Sequence, residues 1–298
     1  MKYLITGGAG FLGSNLCNKL INERHEVICI DNLYTGSKNN ISKLLDFDNF
    51  EFHNISVLEK FNFDCDGIFH MACPASPPKY MKDPISTAKI SFIGTLNMLE
   101  IAKKQSIKMF FSSTSEIYGN PLIHPQNENY FGNVNSFGPR ACYDEGKRIA
   151  ETLCYEFLKK NVDVRIARIF NTYGPNMSSD DGRVVSNFII AALENKPMVI
   201  NGDGKQTRSF CYVDDLIDGI CKLYFLNSPL DNPLNLGNPS EITINEIAEK
   251  ISTIFEKNIN IILRNLPQDD PIQRKPDITL AKKILGWEPK IDLLTGLT

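Results

Sequence analysis

The stretch Met1-Lys2-Tyr3-Leu4-Ile5-Thr6-Gly7-Gly8-Ala9-Gly10-Phe11-Leu12-Gly13 decides how the rest of this chain is read. The apolar run Lys2 to Thr6 predicts a strand and the pattern from Phe11 predicts a helix, with Gly7, Gly10 and Gly13 at the junction. Without side chains, the backbone there can approach a pyrophosphate closely. The helix N-terminus adds unpaired N–H groups and a partial positive charge, which suit phosphates. A second predicted strand, Val27 to Ile30, runs into Asp31. A carboxylate at that strand end, about 20 residues past the glycines, accepts hydrogen bonds from ribose hydroxyls and repels a 2′-phosphate, which favours NAD over NADP. A glycine turn alone would be weak evidence; its place between strand and helix, with Asp31 following, gives it weight.

Outward from that stretch, apolar runs at Phe50 to Asn54, Gly67 to His70, Lys108 to Ser112 and Asp163 to Phe170 alternate with helical patterns at Ile85 to Gln105 and Arg140 to Lys159. This alternation predicts an α/β fold, a doubly wound parallel sheet of the Rossmann type. Asn171-Thr172-Tyr173-Gly174-Pro175 breaks the pattern. Beyond it come a predicted helix at Val184 to Leu193, a short strand at Met198 to Ile200, and the turn Gly202-Asp203-Gly204. An amphipathic helix at Ile244 to Phe255 follows, with strands expected at Asn235 to Leu236 and Ile259 to Leu263. Residues 1–170, with about 209–234, are therefore assigned to an NAD-binding domain, and residues 171–208 and 235–298 to a smaller α/β substrate domain lying over the carboxyl ends of the sheet.

With 298 residues, 42% of them hydrophobic and 22% charged, the chain can bury a full core. A net charge of -3 leaves no basic footprint, which argues against nucleic acid as a partner. The eight cysteines form no C-x-x-C pair and sit mostly in apolar segments, as reduced thiols of a cytoplasmic protein would. No run of 18 apolar residues occurs and the N-terminus enters a strand directly, so neither a membrane anchor nor a signal peptide is expected. The four histidines lack ligand spacing, and no metal is expected.

The fifth strand ends in Ser112-Ser113-Thr114-Ser115-Glu116-Ile117-Tyr118-Gly119, at the edge where open parallel sheets bind ligands. Tyr143 and Lys147 lie four apart on a predicted helix and so share a face. A tyrosine of ordinary pKa, about 10, is almost always protonated near neutrality, and an adjacent ammonium stabilises its phenolate. Removal of hydride from an alcohol requires that the hydroxyl proton leave as well, so a base must touch that oxygen. Tyr143 is the expected base, Thr114 a donor to the same oxygen, and Lys147 the group that holds the phenolate and contacts the nicotinamide ribose. Either motif alone recurs by chance; together they are specific.

The spacing G-x-x-G-x-x-G with Y-x-x-x-K resembles the extended short-chain dehydrogenase/reductase superfamily. Longer blocks resemble one family within it, the UDP-glucuronate decarboxylases or UDP-xylose synthases. These are H-x-A-C-P-A-S-P-P-x-Y at 70–80, S-T-S-E-I-Y-G at 113–119, and G-P-R-A-C-Y-D-E-G-K-R-I-A-E-T-L-C-Y at 138–155. R-I-F-N-T-Y-G-P at 168–175, D-G-R-V-V-S-N-F at 181–188 and Q-T-R-S-F at 206–210 continue the match. Asp269-Asp270-Pro271, Arg274 to Ile278 and Leu285-Gly286-Trp287-Glu288-Pro289 carry it nearly to the end, where a final helix usual in the family is read as missing after Thr298.

The resemblance implies decarboxylation of UDP-glucuronate to UDP-xylose and carbon dioxide through a 4-keto intermediate, with tightly bound NAD reduced and reoxidised in each cycle. It implies a homodimer formed through a helix bundle that includes the Arg140 to Lys159 helix. Beside Thr114, Tyr143 and Lys147, it makes Glu116 and Arg274 an additional catalytic pair at the carboxylate-bearing carbon, Glu116 as base or orienting group and Arg274 as proton-donating or positioning group. Implied cofactor contacts are Gly7, Gly10, Phe11, Leu12, Gly13, Asp31, Asn32, Thr35 and Gly36, then Asn54, Ile55, Met71, Cys73 and Ser112, with Tyr143 and Lys147. For the nucleotide-sugar they are Tyr80, Lys89, Asn97, Asn171, Arg183, Val185 and Arg208, with Arg208 the strongest diphosphate candidate.

Two positions depart from the family pattern or border it. Asn54 replaces an aspartate near the adenine, and Cys73 stands where serine or cysteine borders the nicotinamide. A 4,6-dehydratase would read Thr-Asp-Glu where this chain has Thr114-Ser115-Glu116, and a 4-epimerase would not need Glu116. A silent scaffold on this fold would have no reason to keep Thr114, Glu116, Tyr143, Lys147 and Arg274 together.

Overall fold

The N-terminal half of the chain runs β1 (Lys2–Thr6), α1 (Phe11–Asn22), β2 (Glu26–Ile30), β3 (Phe50–His53), β4 (Gly67–His70), α2 (Pro77–Tyr80), α3 (Pro84–Lys89), α4 (Thr95–Gln105), β5 (Lys108–Thr114), α5 (Ala141–Leu158) and β6 (Val164–Ile169). The computed structural model describes residues 1–269, 271 and 273–298. The remainder runs β7 (Thr172–Tyr173), α6 (Val184–Leu193), β8 (Met198–Asn201), β9 (Thr207–Ser209), β10 (Cys211–Tyr212), α7 (Val213–Phe225) and β11 (Leu234–Leu236). It ends with β12 (Glu241–Thr243), α8 (Ile244–Ile254), β13 (Ile261–Arg264), β14 (Gln273–Arg274), α9 (Thr279–Leu285) and α10 (Leu293–Leu297).

Seven strands form one sheet in the order β11-β6-β5-β4-β1-β2-β3, every pair parallel. Parallel pairing requires crossovers that cover both faces, which is why these strands read as nearly continuous apolar runs. Strand order reverses between β1 and β4, and there the crevice opens at the carboxyl ends of the strands. Register aligns those ends: Thr6 lies opposite both Ile30 and His70. One face packs against α1, α7 and α9, the other against α4 and α5. A third core, with Val185 and Phe188 of α6, Ile247 and Ile251 of α8, and Met198 and Ile200 of β8, belongs to the second region.

Two expectations from the sequence differ from the structure. The pattern Ile85 to Gln105 is not one α-helix: a π turn, Ile90–Gly94, joins α3 to α4. Its wider turn lets Ser91 meet Cys73, with Sγ and Oγ 3.3 Å apart, and face α5 where Gly146 leaves room. The structure also places Leu234–Leu236 at the edge of the main sheet, paired with β6, although residues from 235 were assigned to the second domain. Ile278, Ala281 and Trp287 likewise join the core beneath α7. The sequence predicts a strand at Asn235 to Leu236, but so short a run does not say which sheet takes it, and the pairing with β6 decides that.

Among the described residues no helix is long and apolar enough to cross a membrane, and no group of three or more His, Cys, Asp or Glu could hold a metal ion. All eight cysteines are free.

Trp287, the one tryptophan in the chain, is 1% exposed, and its Nε1–H donates to the Asp215 carbonyl at 2.9 Å. Its indole fills the space beside Gly219, where a Cβ would come within 2.8 Å of the ring. Trp287→Ala is expected to cost about 3–5 kcal/mol of stability, measured by urea titration followed by circular dichroism.

Candidate active site

A single cavity of about 790 Å³ runs along the carboxyl edge of the sheet, between the glycine turn of β1–α1 and the small β12-β9-β14 sheet of the second region. At its dinucleotide end Gly7 has φ of +71°, and its N–H bonds the Ile30 carbonyl at 2.7 Å. A Cβ on Gly13 would lie 2.1 Å from the Gly7 oxygen, so only glycine lets α1 begin this close to the turn. The first turn of α1 carries no acidic residue and no side-chain cap, which keeps its N–H groups for an anion. Asp31 is 8% exposed; its carboxylate accepts from Ala9 N–H at 3.0 Å and Leu33 N–H at 2.8 Å. Burial raises its pKa, and those backbone donors oppose the shift.

Midway along the cavity, α5 lies against the end of β5. Lys147 Nζ donates to the Ser112 carbonyl at 2.7 Å and stands 4.9 Å from the Phe111 ring centroid and 6.0 Å from that of Tyr143. Burial lowers its pKa. Ser112 Oγ donates to the His70 carbonyl at 3.1 Å, and the His70 ring bridges Thr6 Oγ1 at 2.7 Å and Thr95 Oγ1 at 3.2 Å. Burial, then Lys147, pushes His70 down to about 3, so the ring is a neutral spacer from β1 to α4. Tyr143 is 5% exposed and its ring stacks on Tyr80 at 4.9 Å with an interplanar angle of 1°. Burial holds its phenol well above the usual value, with Cys73 adding to the shift and a hydrogen bond with Thr114 opposing it. The shared helix face is as the spacing requires, yet Lys147 alone does not offset burial of Tyr143.

Beyond Tyr143 lies a wall of paired charge. Arg274, from β14, grips Glu116 with both guanidinium nitrogens, one to each carboxylate oxygen. Arg140 Nη2 donates to Glu116 Oε2 at 2.7 Å. Burial would raise the Glu116 pKa, but Arg274 and Arg140 outweigh it and bring it down to about 2. Arg208, on β9, sits directly beside Arg274 in the parallel pair β9–β14 and also faces the cavity. Arg183 forks onto Asp181, Nε to Oδ1 at 2.5 Å and Nη2 to Oδ2 at 2.8 Å.

Residues 3–237 match the family described as NAD dependent epimerase/dehydratase. The chain belongs to that family. UDP-glucuronic acid decarboxylase 5 of Arabidopsis thaliana is 51% identical over 299 residues, spanning 100% of this chain and 87% of its own length. UDP-glucuronic acid decarboxylase 1 of Danio rerio is 51% identical over 297 residues, spanning 99% and 71%. Among solved structures, UDP-glucuronic acid 4-epimerase from Bacillus cereus, in complex with UDP-glucuronic acid and NAD, superposes with a TM-score of 0.89 at 28% identity, covering 100% of this chain and 96% of that one.

As a member of the NAD-dependent epimerase/dehydratase family the chain uses NAD, and its own geometry fits that cofactor. The cradle a Gly13 Cβ would fill, the uncapped start of α1 and the buried Asp31 carboxylate form one continuous wall with Phe11, Leu12 and Asn32. Thr35, Ile55, Met71, Cys73 and Ser112 line the same cavity. Gly36 stands behind Asp31, where a Cβ would come within 2.8 Å of the carboxylate. Asn54 is exposed and off the cavity, which Ile55, Ser56 and Val57 line instead.

Thr114, Glu116, Tyr143, Lys147 and Arg274 are brought together, and Asn171, Arg183, Val185 and Arg208 line the cavity with them. Three residues expected at the nucleotide-sugar do not. Tyr80 is 1% exposed behind Tyr143, held there by ring stacking. Lys89 is exposed at the end of α3, outside the cavity lining. Asn97 donates to the Val57 carbonyl at 2.8 Å and so positions the loop beneath the dinucleotide end. The sequence reading missed Arg140 as a cavity residue. Its signal was present in G-P-R-A-C-Y, since a residue three before Tyr143 shares its helix face.

Replacing Gly13 by alanine is expected to weaken NAD binding about tenfold or more, read by equilibrium titration, because the new methyl group displaces the turn that cradles the pyrophosphate. Asp144, next to Tyr143, is 6% exposed, and burial, reinforced by Glu116, pushes its pKa up to about 8 against the opposing effect of Arg140 and Arg274. A carboxyl raised in the folded state costs stability as pH rises from its unfolded value, about 3.9, through its folded one. Asp144→Asn is therefore expected to gain stability relative to the parent at about pH 8 but not at about pH 4, measured by denaturant titration at both.

Proposed function

We propose that this chain decarboxylates UDP-glucuronate to UDP-xylose and carbon dioxide, with NAD reduced and reoxidised in each cycle. The observation that carries the reading is the Arg274 fork on Glu116 beside Tyr143 and Thr114: a guanidinium presented to a carboxylate next to an acid–base pair for an alcohol. A neutral hexose would give that fork nothing to bind. Relatives 51% identical across the chain and named for this activity support it.

When bound, NAD supplies a cationic ring that takes a hydride from C4 of the sugar and later returns it. Tyr143 takes the C4 hydroxyl proton as that carbon becomes a ketone. Burial disfavours its phenolate, and the hydrogen bond with Thr114 opposes this cost, with the Lys147 ammonium 6.0 Å from the ring centroid. The bond from C5 to the carboxyl group then breaks, carbon dioxide departs, and the electron pair moves onto the C4 oxygen. Tyr143, now protonated, and Thr114 hydrogen-bond that oxygen while the charge lasts. C5 next takes a proton from a water held by Arg274, since a guanidinium stays charged at any physiological pH, and the hydroxide left behind is neutralised by solvent. Held at about 2, the Glu116 carboxylate is ionised at neutral pH and serves as an anchor for guanidinium groups rather than a base. Tyr143 finally returns its proton as the C4 hydroxyl is restored.

The nucleotide end of the substrate falls to Arg208, Arg183, Asn171 and Val185, with Arg208 on the diphosphate. A homodimer is the proposed assembly: Phe92 and Ile93 of the π turn and Ile149 and Tyr155 of α5 are exposed apolar side chains suited to a helix bundle. Eight free cysteines suit a cytoplasmic, reducing setting.

Purified protein given UDP-glucuronate is expected to release carbon dioxide and form UDP-xylose, identified by NMR, without net reduction of added NAD. Tyr143→Phe should lower turnover by about 10²–10⁴-fold. Absence of carbon dioxide from NAD-loaded protein would overturn the reading, and release of a 4-keto-pentose with reduced cofactor would move the product.

A further inference from the structure

Arg140 has no part in the mechanism above, yet its guanidinium faces the cavity and is 9% exposed as a side chain. It shares one oxygen of Glu116 with Arg274, at 2.7 Å against 2.9 Å. The two arginines reach Glu116 from different parts of the molecule. Arg274 comes from β14, in the small sheet of the second region. Arg140 caps the N-terminus of α5, and its carbonyl accepts the N–H groups of Tyr143 at 3.0 Å and Asp144 at 3.1 Å. Glu116 itself is fixed below by its own N–H, which donates to Thr114 Oγ1 at 3.2 Å. A single carboxylate thus joins the strand that carries Thr114, the helix that carries Tyr143, and the arginine of the second region.

We propose that Arg140 is a positioning residue that holds Glu116, and through it the Arg274 guanidinium, in fixed register with Tyr143 while the substrate carboxylate is bound and lost. The inference rests on the decarboxylase reading. A substrate carboxylate arriving at the Arg274 fork competes with Glu116 for the same donors. Buried carboxylates stripped of a partner are costly, so Glu116 released by Arg274 would otherwise swing or take a proton. Arg140 keeps the anion in place from the Tyr143 side, and Arg274 is then able to turn to the substrate without disordering the wall. Oxidation at C4 requires Tyr143, Thr114 and Lys147; breaking the bond from C5 to the carboxyl group requires the wall as well. Arg140 therefore acts on the second step.

Single-turnover kinetics of the NAD-loaded enzyme with UDP-glucuronate separate the steps, with near-ultraviolet absorbance of reduced nicotinamide reporting oxidation and trapped carbon dioxide reporting decarboxylation. In Arg140→Gln, oxidation is expected to stay within about threefold of the parent while carbon dioxide release slows about twentyfold or more, so reduced cofactor accumulates. Arg140→Lys, which keeps a cation, should restore release to within about fivefold of the parent. Affinity for UDP alone, by calorimetry, should stay within about threefold, since the nucleotide subsite is untouched. Equal slowing of both steps, or of neither, overturns the inference. Should Arg140→Gln fail to fold by circular dichroism, Arg140→Met, which keeps the aliphatic stem, carries the same expectations. Failure of the parent enzyme to release carbon dioxide removes the decarboxylase reading and this inference together, whereas a competent parent with coupled variants removes this inference alone.

Discussion

A buried ammonium needs an acceptor, and Lys147 finds it in the carbonyl of Ser112, near the carboxyl end of β5. Without that bond the cost of desolvating the charge would be several kcal/mol, so the contact fixes where α5 can lie along the sheet. Everything else at the centre of the site follows from that register. One turn earlier on α5, Tyr143 comes over the strand end beside Thr114, and one turn earlier again Arg140 reaches Glu116. From the other side, Ser112, His70, Thr6 and Thr95 continue the network across β4 and β1 to α4. The neutral His70 makes this possible, because a charged imidazole there would repel Lys147.

Paired charge organises the far end of the site in a different manner. Glu116, Arg140 and Arg274 are each nearly buried, and each satisfies part of another's demand for a partner. The arrangement keeps Glu116 ionised at the expense of its basicity. Asp144, close by with Arg140 Nε 4.0 Å away, is displaced in the opposite direction. Two neighbouring carboxyl groups are therefore moved in opposite directions, because the arginines favour the ionised form of Glu116 while burial dominates at Asp144. Loops of the second region dock against the dinucleotide helix through Asn15 to the Pro175 carbonyl at 3.0 Å and Asn176 to Ser14 at 3.1 Å. The substrate half of the cavity is thereby registered against the cofactor half.

The sequence by itself determined the parallel sheet, the glycine turn, Asp31, and the residue types gathered at the carboxyl edge of the sheet. Those features have local causes: β1 and β4 are continuous apolar runs with the bounds the pattern gives, and Gly7 and Gly13 are required by backbone geometry within a single turn. Tyr143 and Lys147 share a face because helical spacing alone puts them there. What only the tertiary structure decided involves contacts between distant segments. The π turn that brings Ser91 to Cys73, the pairing of Leu234–Leu236 with β6, and the withdrawal of Tyr80 from the cavity to stack on Tyr143 depend on packing against partners 18 to 67 residues away. Periodicity carries no information about such partners. Arg140 is the clearest case: its position before Tyr143 was legible, but its hold on Glu116 exists only because β5 and α5 converge, with β14 arriving 134 residues later to share the same carboxylate.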